Sequence, residues 1–290
     1  MNLNWNEMNF SKFVIFILSH GRPHKRDTYD QLRSCGYTGR IIIVCDNEDE
    51  TIEEYYKEYG RENIYIFDKP LVAKSVDSMN NFGKRNAILF ARNACFQIAR
   101  ELGYEYFQEL DDDYYYFGHR RKERGKKTIC YNLVVKWFVE FLLNTPNNVK
   151  TIAFAQGGDH IGGYDESLIY KRKAMNSFFC LVDRKINFVG ILNEDVNAYV
   201  GDGSRGDLFL TFMPFKLDQD DTQANKGGIS DMYLDVGTYV KSFYTIMIAP
   251  SSVKIALMSS KYKRLHHKID YKRAVPCIIG EEYKKTPNKP

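Results

Sequence analysis

The apolar run Phe13-Val-Ile-Phe-Ile-Leu18 constrains the fold more than any other stretch, because nothing in it is polar. A strand with one face in water alternates apolar and polar residues, whereas a strand buried on both faces does not. Two similar runs follow, Arg40-Ile-Ile-Ile-Val-Cys45 and Ile64-Tyr-Ile-Phe67, with polar segments of helical character over 24–36 and 50–59. Strand, helix, strand, helix, strand at this spacing predicts the βαβαβ half of a nucleotide-binding α/β fold. Ligands of such sheets sit beyond the carboxyl ends of the strands. The residues there are Ser19-His-Gly-Arg22, Asp46 and Asp68-Lys69, which makes Ser19, Arg22 and Asp46 candidate ligand contacts.

A further strand-forming segment, Tyr104 to Leu110, runs directly into Asp111, Asp112 and Asp113. Adjacent acids repel, and three at a strand's carboxyl edge cost stability unless a cation neutralises them. Asp111 and Asp113, two apart, point to the same side of an extended backbone and can share one divalent ion. Hard oxygen ligands favour magnesium, manganese or calcium; a solvated acidic turn is the bland alternative. Upstream, Gly83-Lys84-Arg85-Asn86 opens a predicted helix reaching about Leu102, with Ile88, Ala91, Cys95, Ile98 and Leu102 on its buried face. Its N-terminus, with Lys84, Arg85 and Asn86, is a candidate diphosphate site.

A second acidic pair, Glu194-Asp195, follows the apolar run Phe188 to Leu192. It offers a general base held apart from a metal; the competing reading is a helix N-cap, with Asn193 or Asp195 capping 196–200. The basic loop His119 to Lys127 is either a phosphate contact or a solvated turn. The glycine-rich loop over 156–163 lacks the Lys-Ser/Thr ending of a phosphate loop and implies close backbone approach instead. Residues 131–143 read as a core helix and Thr151 to Ala155 as a buried strand. Gly201 to Gly228 reads as a mobile loop around a short strand, Leu208 to Phe212, and Thr238 to Ile248 as an antiparallel strand.

No repeat or long linker divides the 290 residues. They read as one domain of two halves, about 11–118 for the donor and about 119–279 for the acceptor, with a basic tail at 280–290. A net charge of +4 is compatible with nucleic acid without requiring it. The six cysteines (35, 45, 95, 130, 180 and 277) have no metal-binding spacing and lie mostly in apolar segments, which suits thiols in a reducing cytoplasm. The start of the chain is polar and the run 13–18 is too short to span a bilayer, so neither a signal peptide nor a membrane anchor is expected.

The motifs, taken in order, resemble a family. Ser19-His-Gly-Arg22, Asp46, Ala91-Arg92-Asn93, Leu110-Asp-Asp-Asp113, Glu194-Asp195 and His266-His267 follow the pattern of glycosyltransferases with the GT-A fold, close to the large inverting family 2. That resemblance implies a single Rossmann-like nucleotide-sugar domain with a mixed central sheet. It assigns Asp46 to the uridine, Asp111 and Asp113 to the metal and Asp112 to the donor-binding set. It also assigns a late histidine, His266 or His267, to complete the metal site, and Asp195 or Glu194 as the base. The gap from Ala91-Arg92-Asn93 to Asp111 is a few residues longer than the family 2 pattern, which leaves the roles of Arg92 and Asn93 open. Narrower motifs, Gln108-Glu-Leu-Asp-Asp-Asp-Tyr114, Gly237-Thr-Tyr-Val-Lys-Ser-Phe243 and His266-His-Lys-Ile269, resemble the TET-associated glycosyltransferases of bacteriophages and the base J glucosyltransferase. By that resemblance the cofactors are Mn or Mg and a UDP-sugar, and the acceptor is a hydroxymethylpyrimidine in DNA. The location is then the cytoplasm, that of a host if the protein is phage-encoded.

Three other readings stand beside it: a glycosyltransferase acting on a polysaccharide, glycolipid or protein, a two-metal nuclease, and a silent nucleotide-sugar or DNA-binding module. The nuclease leaves Asp46 unexplained, and a silent module has no need of uncompensated carboxylates.

Overall fold

The three apolar runs form three parallel strands, β1 (Phe13–Leu18), β2 (Arg40–Asp46) and β3 (Ile64–Phe67), in the computed structural model. The residues described are 10–80, 85–120, 126–156, 159, 168–169, 171–220, 240–259 and 263–276. All six residues of β1 are buried because the strand is central, between β2 and the parallel β4 (Tyr106–Asp111). Strand alternation divides its side chains between two cores. Val14, Phe16 and Leu18 pack on one face with Phe90, Ala94 and Ile98 of α4 (Leu89–Glu101). Phe13, Ile15 and Ile17 pack on the other with Leu32, Tyr55 and Phe138. These come from α1 (Asp27–Ser34), α2 (Ile52–Tyr59) and α5 (Tyr131–Leu143). At ~1.5–3 kcal/mol per buried side chain, β1 alone contributes on the order of 10 kcal/mol.

The main sheet is mixed, in the order β3-β2-β1-β4-β9-β7-β10-β5-β6. Here β5 is Tyr114–Arg120, β6 Lys126–Thr128, β7 Val149–Gln156, β9 Phe179–Leu181 and β10 Leu208–Gln219, with β8 (Leu168–Ile169) paired to β10. Strand β9 runs antiparallel between β4 and β7, and β5 antiparallel to β10. The mixed α/β architecture is therefore the expected one. Among the described residues no helix is long and apolar enough to cross a membrane. Cys35, Cys45, Cys95 and Cys180 are buried free thiols, whereas Cys130 is exposed.

Several local expectations are corrected. The predicted strand at 208–212 continues to Gln219, its register with β7 shifting between Phe212 and Lys216. Pro214, which has no N–H for the ladder, lies in that gap. Residues 240–248, read as a strand from their partial alternation, are helical. Ser242, Thr245 and Ala249 are buried at three- and four-residue steps, and this tertiary contact overrides intrinsic propensity. The run 188–192 is irregular, and α6 (Glu194–Gly201) begins directly after it. The long helix begins at Leu89, not at Gly83. Its C-cap, Leu102, expected on the buried face, is 43% exposed. Of the glycine-rich stretch 157–163 only Asp159 is among the described residues, and 121–125 of the basic loop and 221–239 lie outside them. A separate hairpin of β11 (Val253–Ser259) and β12 (Lys263–Ile269) carries the late histidines.

Candidate active site

The register aligns the carboxyl ends of the parallel strands. Leu18 pairs with both Val44 and Asp111, and Asp46 pairs with Phe67. A cleft of about 870 Å³ opens beyond this edge, between it, α6 and the β11–β12 hairpin. Ser19, Arg22, Asp46, Asn86, Asp111, Asp113, Glu194, Asp195, His266 and His267 all line it. Positions far apart in the chain thus meet where the α/β topology places a ligand.

Beyond β2 Asp46 is buried, and its Oδ2 accepts from His20 Nδ1 (2.8 Å) and Lys69 Nζ (3.1 Å). Burial alone would raise its pKa, but the His20 bond and the Lys69 charge outweigh it and hold Asp46 below the usual carboxylate range. The same bond raises His20, against the opposing effect of burial. Asp46 is therefore a fixed anion, suited to accept N–H or ribose O–H groups. Lys69, buried just after β3, and His20 were not singled out as site residues from sequence. Lys69 could have been found as the residue that follows the third strand.

The acidic triplet is not one extended segment. Asp112 and Asp113 form the turn between β4 and β5. Buried Thr28 clamps it: its hydroxyl donates to the Asp111 carbonyl (2.7 Å) and accepts from Tyr114 N–H (2.8 Å). Asp112 turns away from the cleft and is buried, accepting from Ser19 Oγ (2.6 Å) and pairing with Arg22 (2.9 Å). Burial pushes it up to about 6 against the pull of Arg22. The expected donor contact is thus a brace that fixes Ser19 and Arg22 from behind. Asp111 and Asp113 do face the cleft. Burial, then Asp111 and Asp112, push Asp113 up to about 7.

Arg92, left open from sequence, is the hub. It is 1% exposed, and its Nη2 donates to Asp111 (2.8 Å) and its Nε to Glu194 (3.2 Å), with Nη1 3.6 Å from Glu109. Three acids around one buried guanidinium join the aspartate turn to α6. The signal in the sequence was a charge in the stripe Leu89, Arg92, Cys95 and Ala99 of a helix otherwise apolar on that face. Asn93 instead donates to the Leu89 and Phe188 carbonyls and props the loop before α6.

Glu194 and Asp195 are the first two residues of α6 and are both buried. Asn193 at the N-cap has φ 57°, a left-handed conformation asparagine tolerates, and makes no side-chain cap. Its amide donates instead to the Lys241 carbonyl (2.7 Å) and lies 3.4 Å from His267 Nδ1. Both readings of the acidic pair therefore hold in part: it opens a helix, and it faces the cleft. Burial, then Asp195, push Glu194 up to about 7 against Arg92. Burial also raises Asp195, whose Oδ1 accepts only its neighbour's N–H, from Val196 (2.8 Å), among the hydrogen bonds within the described residues.

A divalent cation fits this donor set at Asp111 and Asp113. Among the described residues Asp113 Oδ1 is buried without a hydrogen-bond partner, and burial first, then the neighbouring Asp111 and Asp112 charges, raise the carboxyl's pKa. Among the described residues, no three His, Cys, Asp or Glu side chains converge into a ready cage. His266 and His267 line the cleft from the β11–β12 hairpin. His267 is buried beside Asn193, and burial, then His266, hold it down to about 4 as a neutral ring. Ligand oxygens from a phosphate and water would have to supply the rest, as is usual for magnesium. Of the predicted diphosphate contacts, Asn86 lines the cleft ahead of α4. Arg85 is paired with Glu48 outside the cleft lining, and Lys84 lies outside the described residues.

No curated protein is significantly similar to the chain in sequence. Glucosyl-3-phosphoglycerate synthase from Mycobacterium tuberculosis, solved with Mn2+, uridine diphosphate and phosphoglyceric acid, is similar in chain course. Its TM-score is 0.46 and its identity 10%, over 92% of this chain and 88% of that one. Mannosyl-3-phosphoglycerate synthase from Rubrobacter xylanophilus gives a TM-score of 0.39 at 10% identity, over 89% and 86%. The model of the TET-associated glycosyltransferase family matches residues 13–228, from β1 through the aspartate turn and α6 into β10, and the protein belongs to that family.

Proposed function

We propose that the protein transfers a sugar, with inversion, from a UDP-sugar to the hydroxymethyl group of a pyrimidine in DNA, with Mn or Mg bound at Asp111 and Asp113. One observation carries this reading: the aspartate turn and the Glu194–Asp195 pair face one cleft and are bridged by a single buried arginine. Asp46, with Lys69 and His20 behind it, receives the nucleoside. Ser19 and Arg22, fixed by Asp112, sit beside it. The metal, when bound, supplies charge stabilisation for the departing diphosphate. Asp195 accepts the acceptor hydroxyl's proton as that oxygen attacks the anomeric carbon. A carboxyl raised by burial is a stronger base than one in water. Glu194 is anchored by Arg92 and orients the pair. The DNA acceptor rests on the family and its motifs.

The test is incubation with a panel of nucleotide sugars and hydroxymethylated DNA, with manganese or with EDTA, followed by nucleoside mass spectrometry. A metal-dependent hexose or pentose mass gain is expected. No gain with any donor refutes the reading, and DNA cleavage without donor would favour the nuclease.

A further inference from the structure

The β11–β12 hairpin carries Lys254, Lys263, Arg264 and Lys268 and contains no acidic residue in either strand. Among the described residues none of the four makes an ion pair; Arg264 contacts only the Met258 sulfur, at 3.7 Å. All four are exposed. The register sets Lys254 directly opposite Lys268 and Met258 opposite Arg264, with Ala256 opposite His266 between them. These six residues share one face, since neighbours along a strand alternate. Like charges directly opposite each other on a two-stranded ribbon destabilise it. Nothing in the described fold offsets that cost, so the arrangement is suited to an outside anion.

The hairpin borders the cleft with residues of both faces, Leu257, His267 and Ile269 coming from the other one. Ala256, Met258, His266 and Lys268 line it, while Lys254 and Arg264 are not among the lining residues. On the other face His267 is buried beside Asn193. A row of cations spaced along an extended ribbon matches a repeating anion better than a single diphosphate.

We propose that this face of the hairpin, through Lys254, Arg264 and Lys268, binds the phosphate backbone of nucleic acid and guides the acceptor into the cleft. The inference rests on the DNA-acceptor reading above. Backbone contacts carry no sequence information, so the surface binds unmodified DNA as well as hydroxymethylated DNA.

The test is fluorescence anisotropy with a labelled, unmodified DNA duplex across a salt series, comparing the unaltered protein with Lys254→Gln/Arg264→Gln and with Lys263→Gln. Each phosphate contact contributes ~0.9 to the slope of log affinity against log salt, so the double variant should lose about 1.8. Lys263→Gln, on the opposite face, should keep the slope. Uridine diphosphate affinity by calorimetry should be unchanged in all three, and the double variant's melting temperature should be unchanged or higher. An unchanged slope in the double variant, or an equal loss in Lys263→Gln, overturns the hairpin surface while leaving the DNA acceptor intact. No salt-dependent binding by the unaltered protein overturns both.

Discussion

Replacing Arg92 with methionine keeps most of the side-chain volume and removes the charge that three acids share. Asp111, Glu194 and Glu109 lie 2.8, 3.2 and 3.6 Å from its nitrogens. Breaking a buried pair costs ~3–5 kcal/mol because the remaining charge is uncompensated. Glu109 adds little to that at pH 7, since burial has already pushed it up to about 8 and it is protonated. The loss falls on Asp111 and Glu194, which places it near the lower end, ~3 kcal/mol. The pH dependence has a definite sign. Arg92 lowers Glu194 and Asp195 in the folded state, so its removal raises both further. The variant's folded state then holds more protons than the unfolded chain up to a higher pH, and its stability falls more steeply as pH rises. With Glu194 starting at about 7, the deficit should grow by roughly 1–2 kcal/mol between pH 6 and pH 8. Urea denaturation in EDTA at the two pH values measures this directly. A deficit under ~1 kcal/mol at pH 8, or one larger at pH 6, refutes the hub. Arg92→Lys, whose single ammonium cannot reach all three acids, should lose transfer by ~10²-fold or more while remaining folded.

Asp113→Asn should abolish manganese-dependent donor binding in calorimetry and stabilise the metal-free protein at pH 8. The folded carboxyl titrates at about 7, well above an unfolded aspartate, so the wild type loses stability as pH rises through that window. After allowance for solvent screening, the gain is roughly 1–3 kcal/mol, and the advantage should vanish below pH 4. Asp46→Asn should raise the donor KM by ~10-fold or more with kcat nearly unchanged, and should destabilise the fold because Lys69 is left buried without its anion. A fall in kcat alone would place Asp46 in the chemistry instead. Asp195→Asn should keep donor and metal affinity while losing ~10²–10⁴ in kcat, with Glu194→Gln losing less; the reverse order would exchange their roles.

The sequence by itself determined the N-terminal parallel strands and the edge where their carboxyl ends meet. The apolar runs of β1 and β2 are buried strands, and the α/β connection rules then fix where their carboxyl ends point, whereas the equally apolar run 188–192 is irregular. That is why Ser19, Arg22, Asp46, Asp111 and Asp113 could be placed at one edge, where they line the cleft. Asp112 was not, because its direction depends on the turn clamped by Thr28. Helix 240–248 was misread because its partial apolar–polar alternation imitates a strand, while burial of Ser242 and Thr245 is set by the neighbours they pack against. Of the expected diphosphate contacts, Asn86 lines the cleft ahead of a helix that starts at Leu89, Arg85 pairs with Glu48, and Lys84 lies outside the described residues. Only the tertiary structure brought Glu194 and Asp195 beside the aspartate turn, across the strands β5 to β9 that intervene in the chain. Arg92 could be seen from sequence as a charge in an apolar stripe, but a guanidinium becomes a hub only when three acids from separate elements converge on it in a medium that barely screens them.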